Sequence, residues 1–173
     1  MKMEKLVDEA EAAGSNTVLA HGQYLTFILA GEEYGVDILR VQEIKGWDTV
    51  TPIPNTPSYI KGVINLRGTI VPIVDLRTRF GIEKIEYGPT TVVIVLRTTV
   101  GDGSTILGIV VDGVSEVYNI KSEEIKPAPQ MGDKTDISFV YGLATIDEKM
   151  IILMDVDRVL NEREIGEMEK LVA

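Results

Sequence analysis

Cysteine is absent from the 173 residues. That removes disulfides, thiolate nucleophiles and thiolate metal sites together. There is a single histidine, His21, near the start of the chain, where it reads as an ordinary surface residue. Nucleophile–base pairs and histidine metal cages therefore have little material to be built from. Aromatic residues make up only 6% of the chain against 45% hydrophobic in total, so the expected core is aliphatic, made of Ile, Val and Leu. Long apolar runs are missing too. "VVIVL" (Val92–Leu96) is typical, far below the roughly 18 residues of a membrane span. The opening "MKMEKLVDEAEAAGSN" carries acids where a signal peptide needs an apolar stretch, so the chain reads as soluble and not exported. Positive charge is in deficit, 17 Lys and Arg against 27 Asp and Glu, for a net charge of −10. This disfavours nonspecific binding to nucleic acid phosphates or anionic lipid headgroups.

What is present is a succession of short β-branched segments with close turn signals, the pattern of a β-barrel or sandwich. They include "YLTFILA", "EYGVDILRVQEIKG", "YIKGVINL", "GTIVPIVDL", "TTVVIVLRTTV", "TILGIVVDGVSEVYNI", "FVYGLATI" and "KMIILMDV". "GEE" (31–33), "RG" (67–68), "GDGS" (101–104) and "DEK" (147–149) are natural hairpin turns. "TPIPNTPS" (51–58) must be a crossing loop, since proline cannot donate to a ladder. The stretch 122–136 is the longest strand-free connection and the expected mobile loop. Residues 1–20 suit a frayed amphipathic helix, and about 155–172 a firmer one, weakened by Gly166.

The segments repeat. "YIKGVINLRGTIVPIVDL" from Tyr59 lies over "FVYGLATIDEKMIILMDV" from Phe139 at a shift of 80, matching Gly62 with Gly142 and Asp75 with Asp155. "YGVDILRVQEI" lies over "LGIVVDGVSEV" at a shift of 73, pairing Gly35 with Gly108 and Glu43 with Glu116. "YLTFIL" over "TVVIVL" aligns at 67. Three matches in order, with gaps only in loops, indicate a duplication. The expected fold is mainly β: two tandem SH3-like five-stranded barrels packed together, with short helices including one at the C-terminus. The first unit covers about 22–80 and the second about 90–160 of a core spanning 21–160, with tails at 1–20 and 161–173. Neither half buries enough surface alone, so the halves pack together or trade strands.

No catalytic constellation survives inspection. "MDVDR" offers Asp155 and Asp157 at a spacing that can hold Mg²⁺, but either is better read as the cap of the closing helix, with Asp75 its counterpart. "GDGS" lacks the further acids of a calcium loop and the Gly-Lys of a phosphate loop. Glu43 and Glu116 occupy matching places in different barrels, which suits surface or salt-bridge roles. No metal, cofactor or enzymatic activity is expected. The remaining candidate is interaction surface. The hairpin tip Leu66-Arg67-Gly68 of copy one becomes Ile146-Asp147-Glu148 in copy two, so the two tips carry opposite charge and should meet different partners.

The segments "VDILRVQEIKG", "TPIPNTPSYIKGVINLRGTIVPIVDLRTRFG", "GIVVDGVSEV" and "IKPAP" closely resemble the CheW family of bacterial chemotaxis adaptors, over about residues 22–160. The resemblance implies a non-enzymatic scaffold, cytoplasmic and recruited to membrane receptor arrays through its partners. Those partners would be the cytoplasmic tips of methyl-accepting chemotaxis receptors and the regulatory domain of the histidine kinase CheA. It places Glu43 and Arg67 on a receptor-binding surface shaped by Val41, Gly62 and Gly68. It carries kinase binding, with less direct support from the residues, onto Val92, Val114, Val117 and Lys126, where buried core is an equal reading of the valines. Arg67 also suits an internal pair with Glu43 that steadies its hairpin, and the two roles are compatible. Rival readings are a CheW-like regulatory module of another signalling protein, or a small β-barrel that binds a metabolite between its halves. An enclosed pocket with converging polar groups would favour the last.

Overall fold

The computed structural model describes residues 22–82, 85–100, 103–128, 138–160, 164 and 166. Ten strands run through it: β1 (Gln23–Leu29), β2 (Glu32–Asp37), β3 (Val41–Gly46), β4 (Ile60–Leu66) and β5 (Thr69–Asp75), then β6 (Val92–Val100), β7 (Gly103–Val111), β8 (Gly113–Asn119), β9 (Val140–Ile146) and β10 (Lys149–Met154). Helical elements among the described residues are short. They are the 3-10 turns Ile38–Arg40, Ser122–Glu124 and Val156–Arg158, and α1 (Leu76–Arg79). The expected N-terminal helix and His21 lie outside the described residues, as does most of the C-terminal segment. Glu164 and Gly166 are helical, as expected there.

The strands form two five-stranded sheets, ordered β8-β1-β2-β10-β9 and β3-β6-β7-β5-β4. If β1 to β5 are replaced by β6 to β10 and the reverse, the first order becomes the second. The duplication is therefore written in the topology. Each sheet contains one parallel pair, β2 with β10 and β5 with β7. Each also curls until the chain beyond its first edge strand bridges its last strand, Thr51 to Val63 in one and Lys126 to Leu143 in the other. These are two SH3-like barrels.

The barrels do not coincide with the stretches 22–80 and 90–160, because the halves trade strands. Residues 41–111 build one sheet; β1, β2 and β8 to β10 build the other. The chain changes sheet at Ile38–Arg40 and again between Val111 and Gly113, so each repeat spans both barrels. The register also corrects one alignment. Val41 pairs with Leu96 in one sheet and Val114 with Phe27 in the other, so Phe27 corresponds to Leu96, an offset of 69 rather than 67. A slip of two residues leaves every side chain on its own face.

Three apolar clusters follow from this arrangement. The central one lies between the sheets, fed by Leu25, Phe27 and Leu29 of β1, Ile94 and Leu96 of β6, and Leu76, Met154 and Val156. Val71, Ile73, Val93, Val95 and Val110 fill one barrel, and Ile120, Ala144, Ile151 and Leu153 the other. Sheets buried on both faces read as continuous apolar runs, which is why "VVIVL" shows no alternation. The core is largely aliphatic, yet all three phenylalanines stack with Tyr34 in one row: Phe27 on Tyr34 at 5.9 Å, Tyr34 on Phe80 at 6.2 Å and Phe80 on Phe139 at 4.3 Å.

The turns follow their chemistry. Arg67 and Gly68 have φ of 51° and 89°, and Asp147 and Glu148 of 48° and 66°, the left-handed pair that a two-residue hairpin requires. The first hairpin turns at Ala30-Gly31, one residue ahead of the expected "GEE". Val100 pairs with Gly103 around the expected "GDGS" turn, whose Gly101 and Asp102 lie outside the described residues. In the expected 122–136 connection, Ser122–Glu124 form a 3-10 turn and Lys126 bridges Leu143; residues 129–136 are not among those described. Asp75 Oδ1 accepts from Arg77 N and Asp155 Oδ1 from Asp157 N, both at 3.0 Å, the paired caps expected from the repeat.

Candidate interaction surface

The surface around Arg67 begins with a geometric constraint on Gly62. A Cβ there would overlap the Thr51 carbonyl, whose carbon lies 2.7 Å from its ideal position. Only glycine lets β4 approach closely enough for the Thr51 N to Val63 O and Val63 N to Thr51 O hydrogen bonds, at 3.0 and 2.9 Å. That contact closes the barrel and fixes the loop at 47–58 beside the β4–β5 hairpin. At the hairpin tip, Asn65 Oδ1 accepts from Gly68 N at 2.7 Å, holding the turn. The Arg67 guanidinium then reaches across to β3, with Nη1 2.9 Å from Glu43 Oε1. The two partners are unequal: the Arg67 side chain is 77% exposed and that of Glu43 20%. Most of the fork is therefore open to another molecule while one corner is pinned. A shallow groove of about 220 Å³ lies alongside, lined by Lys45, Asp48, Thr51, Val63 and Asn65 among others.

Glu43, Arg67 and Gly68 thus share one face of one barrel. Val41 is 3% exposed and belongs to the central core, and Gly62 is buried against Thr51, so these two shape the backbone and present no atoms to a partner. The second group of candidates is not assembled in the same way. Val92, Val114 and Val117 are half-buried and pack against the central core. Val92 pairs with Gly46 and so lies in the sheet of Glu43, whereas Val114 and Val117 pair with β1 in the other sheet. The strand exchange thus puts Val92 alone on the barrel of Glu43, apart from the other three. Lys126 is exposed, at the bridge that closes the barrel containing β8.

A buried charged cluster went unnoticed in the sequence. Arg77 is 1% exposed and Asp75 0%. Asp75 receives Arg77 Nε and Nη2, each at 3.0 Å, and the Tyr87 hydroxyl at 2.6 Å. Arg77 Nη1 also donates to Asp112 Oδ1 at 2.8 Å and to the Glu86 carbonyl at 2.7 Å, and Asp112 in turn accepts from Ala30 N. The related place in copy two holds the reverse charge pattern: Arg40 binds Asp157 at 2.9 and 2.8 Å, and Asp157 accepts from Thr99 N at 2.7 Å. Copy one supplies both arginines and Asp75, and copy two supplies Asp112 and Asp157. The signal available in sequence was the aspartate repeated at 75 and 155, followed two residues later by Arg77 in one copy and by Asp157 in the other.

Burial alone would raise the pKa of Asp75, but hydrogen bonds from Arg77 and Tyr87 outweigh it and hold the carboxyl below its ordinary value. Burial and then the Asp75 carboxylate push the Tyr87 phenol upward, and for Arg77 the opposing effect of burial is outweighed by Asp75 and Asp112, which hold it charged. A depressed carboxylate stabilises the fold above its unfolded pKa of about 3.9, and that contribution is lost as pH falls through the folded value. Urea midpoints measured from pH 5 to pH 2 should therefore fall below about pH 4, with a shallower fall in Asp75→Asn. An identical acid slope in both proteins would assign the loss to other carboxylates.

Among the described residues, no helix is long and apolar enough to cross a membrane. The family model of the CheW-like domain matches residues 23–164. The chain is 48% identical over 144 residues to the chemotaxis protein CheW of Klebsiella aerogenes, covering 83% of this chain and 84% of that one. It is 30% identical to the Helicobacter pylori chemotaxis protein CheW, with 81% and 82% covered. The crystal structure of the scaffolding protein TtCheW from Thermoanaerobacter tengcongensis superposes with a TM-score of 0.74 at 38% identity, covering 83% of this chain and 96% of that one. The chain belongs to the CheW family of chemotaxis adaptor and scaffold proteins.

Proposed function

We propose that this protein is a non-enzymatic adaptor that couples the cytoplasmic tips of chemoreceptors to the regulatory domain of the histidine kinase CheA. It works in the cytoplasm and reaches receptor arrays through these partners. The minimal adaptor is the 21–160 core, with 1–20 and 161–173 as tails. The observation that carries the reading is the Glu43–Arg67 pair: a guanidinium pinned at one corner and 77% exposed, on a tip whose duplicate is acidic. Its planar fork can hold a partner carboxylate or carbonyl in fixed geometry, where lysine would be looser. Receptor contact falls on Glu43, Arg67 and Gly68, with Val41 and Gly62 setting their backbone. Kinase contact falls on the other barrel, around Val114, Val117 and Lys126, with Val92 acting through the central core. Coupling two surfaces requires that their relative placement be held, and the shared core between the sheets supplies that.

The test is co-purification with a receptor cytoplasmic fragment and with the kinase regulatory domain, separately and together. Simultaneous retention of both is expected; mutually exclusive retention would overturn the adaptor reading. Arg67→Ala should weaken receptor retention roughly tenfold or more, as an interface anchor does. Its unfolding free energy should change by only about 0–1 kcal/mol, because the pair is exposed on one side. A loss of stability matching the loss of binding would make Arg67 a hairpin brace instead.

A further inference from the structure

The duplication allows one half of the molecule to be compared with the other, and the two aspartates at the end of the fifth strand of each copy, Asp75 and Asp155, have different surroundings. Asp75 is enclosed, its carboxylate filled by the Arg77 guanidinium and the Tyr87 hydroxyl. At the related place in copy two, Asp157 stands where Arg77 would be. The arginine that enters from the other side, Arg40, is held bidentately by Asp157. Asp155 keeps its cap to Asp157 N and a peripheral contact to Arg158 Nε at 3.4 Å, with the Arg158 side chain 65% exposed. The Asp37 carboxylate caps Leu39 N at 2.9 Å.

Where copy one is filled, copy two has a cavity. It measures about 330 Å³ and is lined by Tyr24, Asp37, Arg40, Tyr141, Met154 and Asp155, among others. With Asp157 also in its wall, three carboxylates and Arg40 line the cup, and Arg158 reaches Asp155 from the exposed side, which leaves a formal surplus of one negative charge. Two phenol rings complete the lining: Tyr24 is half-buried and Tyr141 is 57% exposed, standing clear of the surface. Acids with paired aromatic walls select a cation, which gains both Coulombic attraction and ring contact. The volume lies at the small end of ligand pockets, suited to one side chain or a compact molecule.

We propose that this cup is a binding site for a single guanidinium or ammonium group, held by Asp37 and Asp155 between Tyr24 and Tyr141. The filled counterpart around Asp75 shows what the same framework takes when the guest comes from its own chain. Burial, followed by the neighbouring Tyr141 and Asp37, raises the Tyr24 phenol's pKa, as an electronegative surround should. The inference does not depend on the adaptor reading, since none of these residues belongs to the Arg67 surface.

The experiment is a titration of the full chain, followed by amide chemical shifts at Gly22, Tyr24, Tyr141 and Val156. The probes are acetyl-arginine amide, its neutral isostere acetyl-citrulline amide, and free arginine. Saturable shifts confined to the cup with acetyl-arginine amide, and none with the citrulline analogue, are expected. Tighter binding of free arginine than of the capped form would support the site with a free amino acid as its guest; equal or weaker binding would support it with a partner's basic side chain. Tyr141→Ala, an exposed position that leaves the cores untouched, should weaken the arginine probe by roughly 2–30-fold, the range of a cation–aromatic contact. Arg67→Ala should leave it unchanged. Equal shifts with the citrulline analogue, or no effect of Tyr141→Ala, would overturn the proposal.

Discussion

Arg77→Met should lower the unfolding free energy by about 3–5 kcal/mol, enough to move the melting temperature by roughly 10 °C. The substitution keeps much of the apolar stem and removes the charge. What it leaves behind is Asp75, fully buried, with only the Tyr87 hydroxyl and its own backbone cap to replace two guanidinium hydrogen bonds. An ionised carboxylate stripped of its cation in such a place costs far more than the net worth of the pair. Arg40→Met provides the internal control, since the Arg40 and Asp157 side chains are 32% and 28% exposed and water can take over. Its cost should be about 1 kcal/mol. The double change Asp75→Asn with Arg77→Met should recover part of the loss, because no buried charge is then orphaned. Urea unfolding of the four proteins decides the matter: similar losses at positions 77 and 40 would show that burial does not set the cost.

Gly62→Ala should be the most damaging single-carbon addition among the hairpin glycines, at about 3 kcal/mol, combining backbone strain with lost closure bonds. Its φ of 145° already disfavours a side chain, and the added carbon overlaps the Thr51 carbonyl. The Thr51–Val63 bridge is what carries the loop across to the middle of β4. Gly142→Ala meets Ile125 Cγ2 at 2.6 Å and Lys126 O at 2.9 Å, and Ile125 can rotate, so a loss nearer half as large is expected. Gly68→Ala has open space around it and only its φ of 89° to oppose it, at about 1 kcal/mol. Hydrogen exchange at 47–66 should accelerate in Gly62→Ala and not in Gly68→Ala. Equal acceleration in both would shift the explanation from closure to hairpin strain.

The sequence made several of these features readable and hid others for identifiable reasons. Repeated glycines at 62 and 142 and aspartates at 75 and 155 marked the duplication, because each meets a local need: a close backbone approach and a helix cap. The opposite charges at 67 and 147 were equally plain. The two-residue slip between β1 and β6 was invisible, since an offset of two preserves which face each residue occupies. Strand exchange was one of two expected outcomes, but which strands trade could not be read, because the parallel pairs of β2 with β10 and β5 with β7 leave no mark in local composition. Arg77 in "DLRTRF" looks like any basic residue at a helix start; its burial depends on Asp112 and Tyr87, which arrive from two other segments. Val92, Val114 and Val117 could not be sorted by sequence because valine is suited both to a core and to a docking face.

The strand exchange has a consequence for how the protein is made. The barrel of residues 41–111 is contiguous, and all its strand partners emerge one after another during synthesis. The other barrel is built from the two ends: β1 and β2 leave the ribosome early, then wait for Gly113–Met154. Joining them closes a loop of about 75 residues, an entropic cost that is lowered if the intervening chain has already compacted. The inner barrel should thus fold first and act as the template that brings the termini together. A nascent chain halted before β8 would carry a finished barrel and an orphaned hairpin whose edges are open to chaperones or to a neighbouring chain.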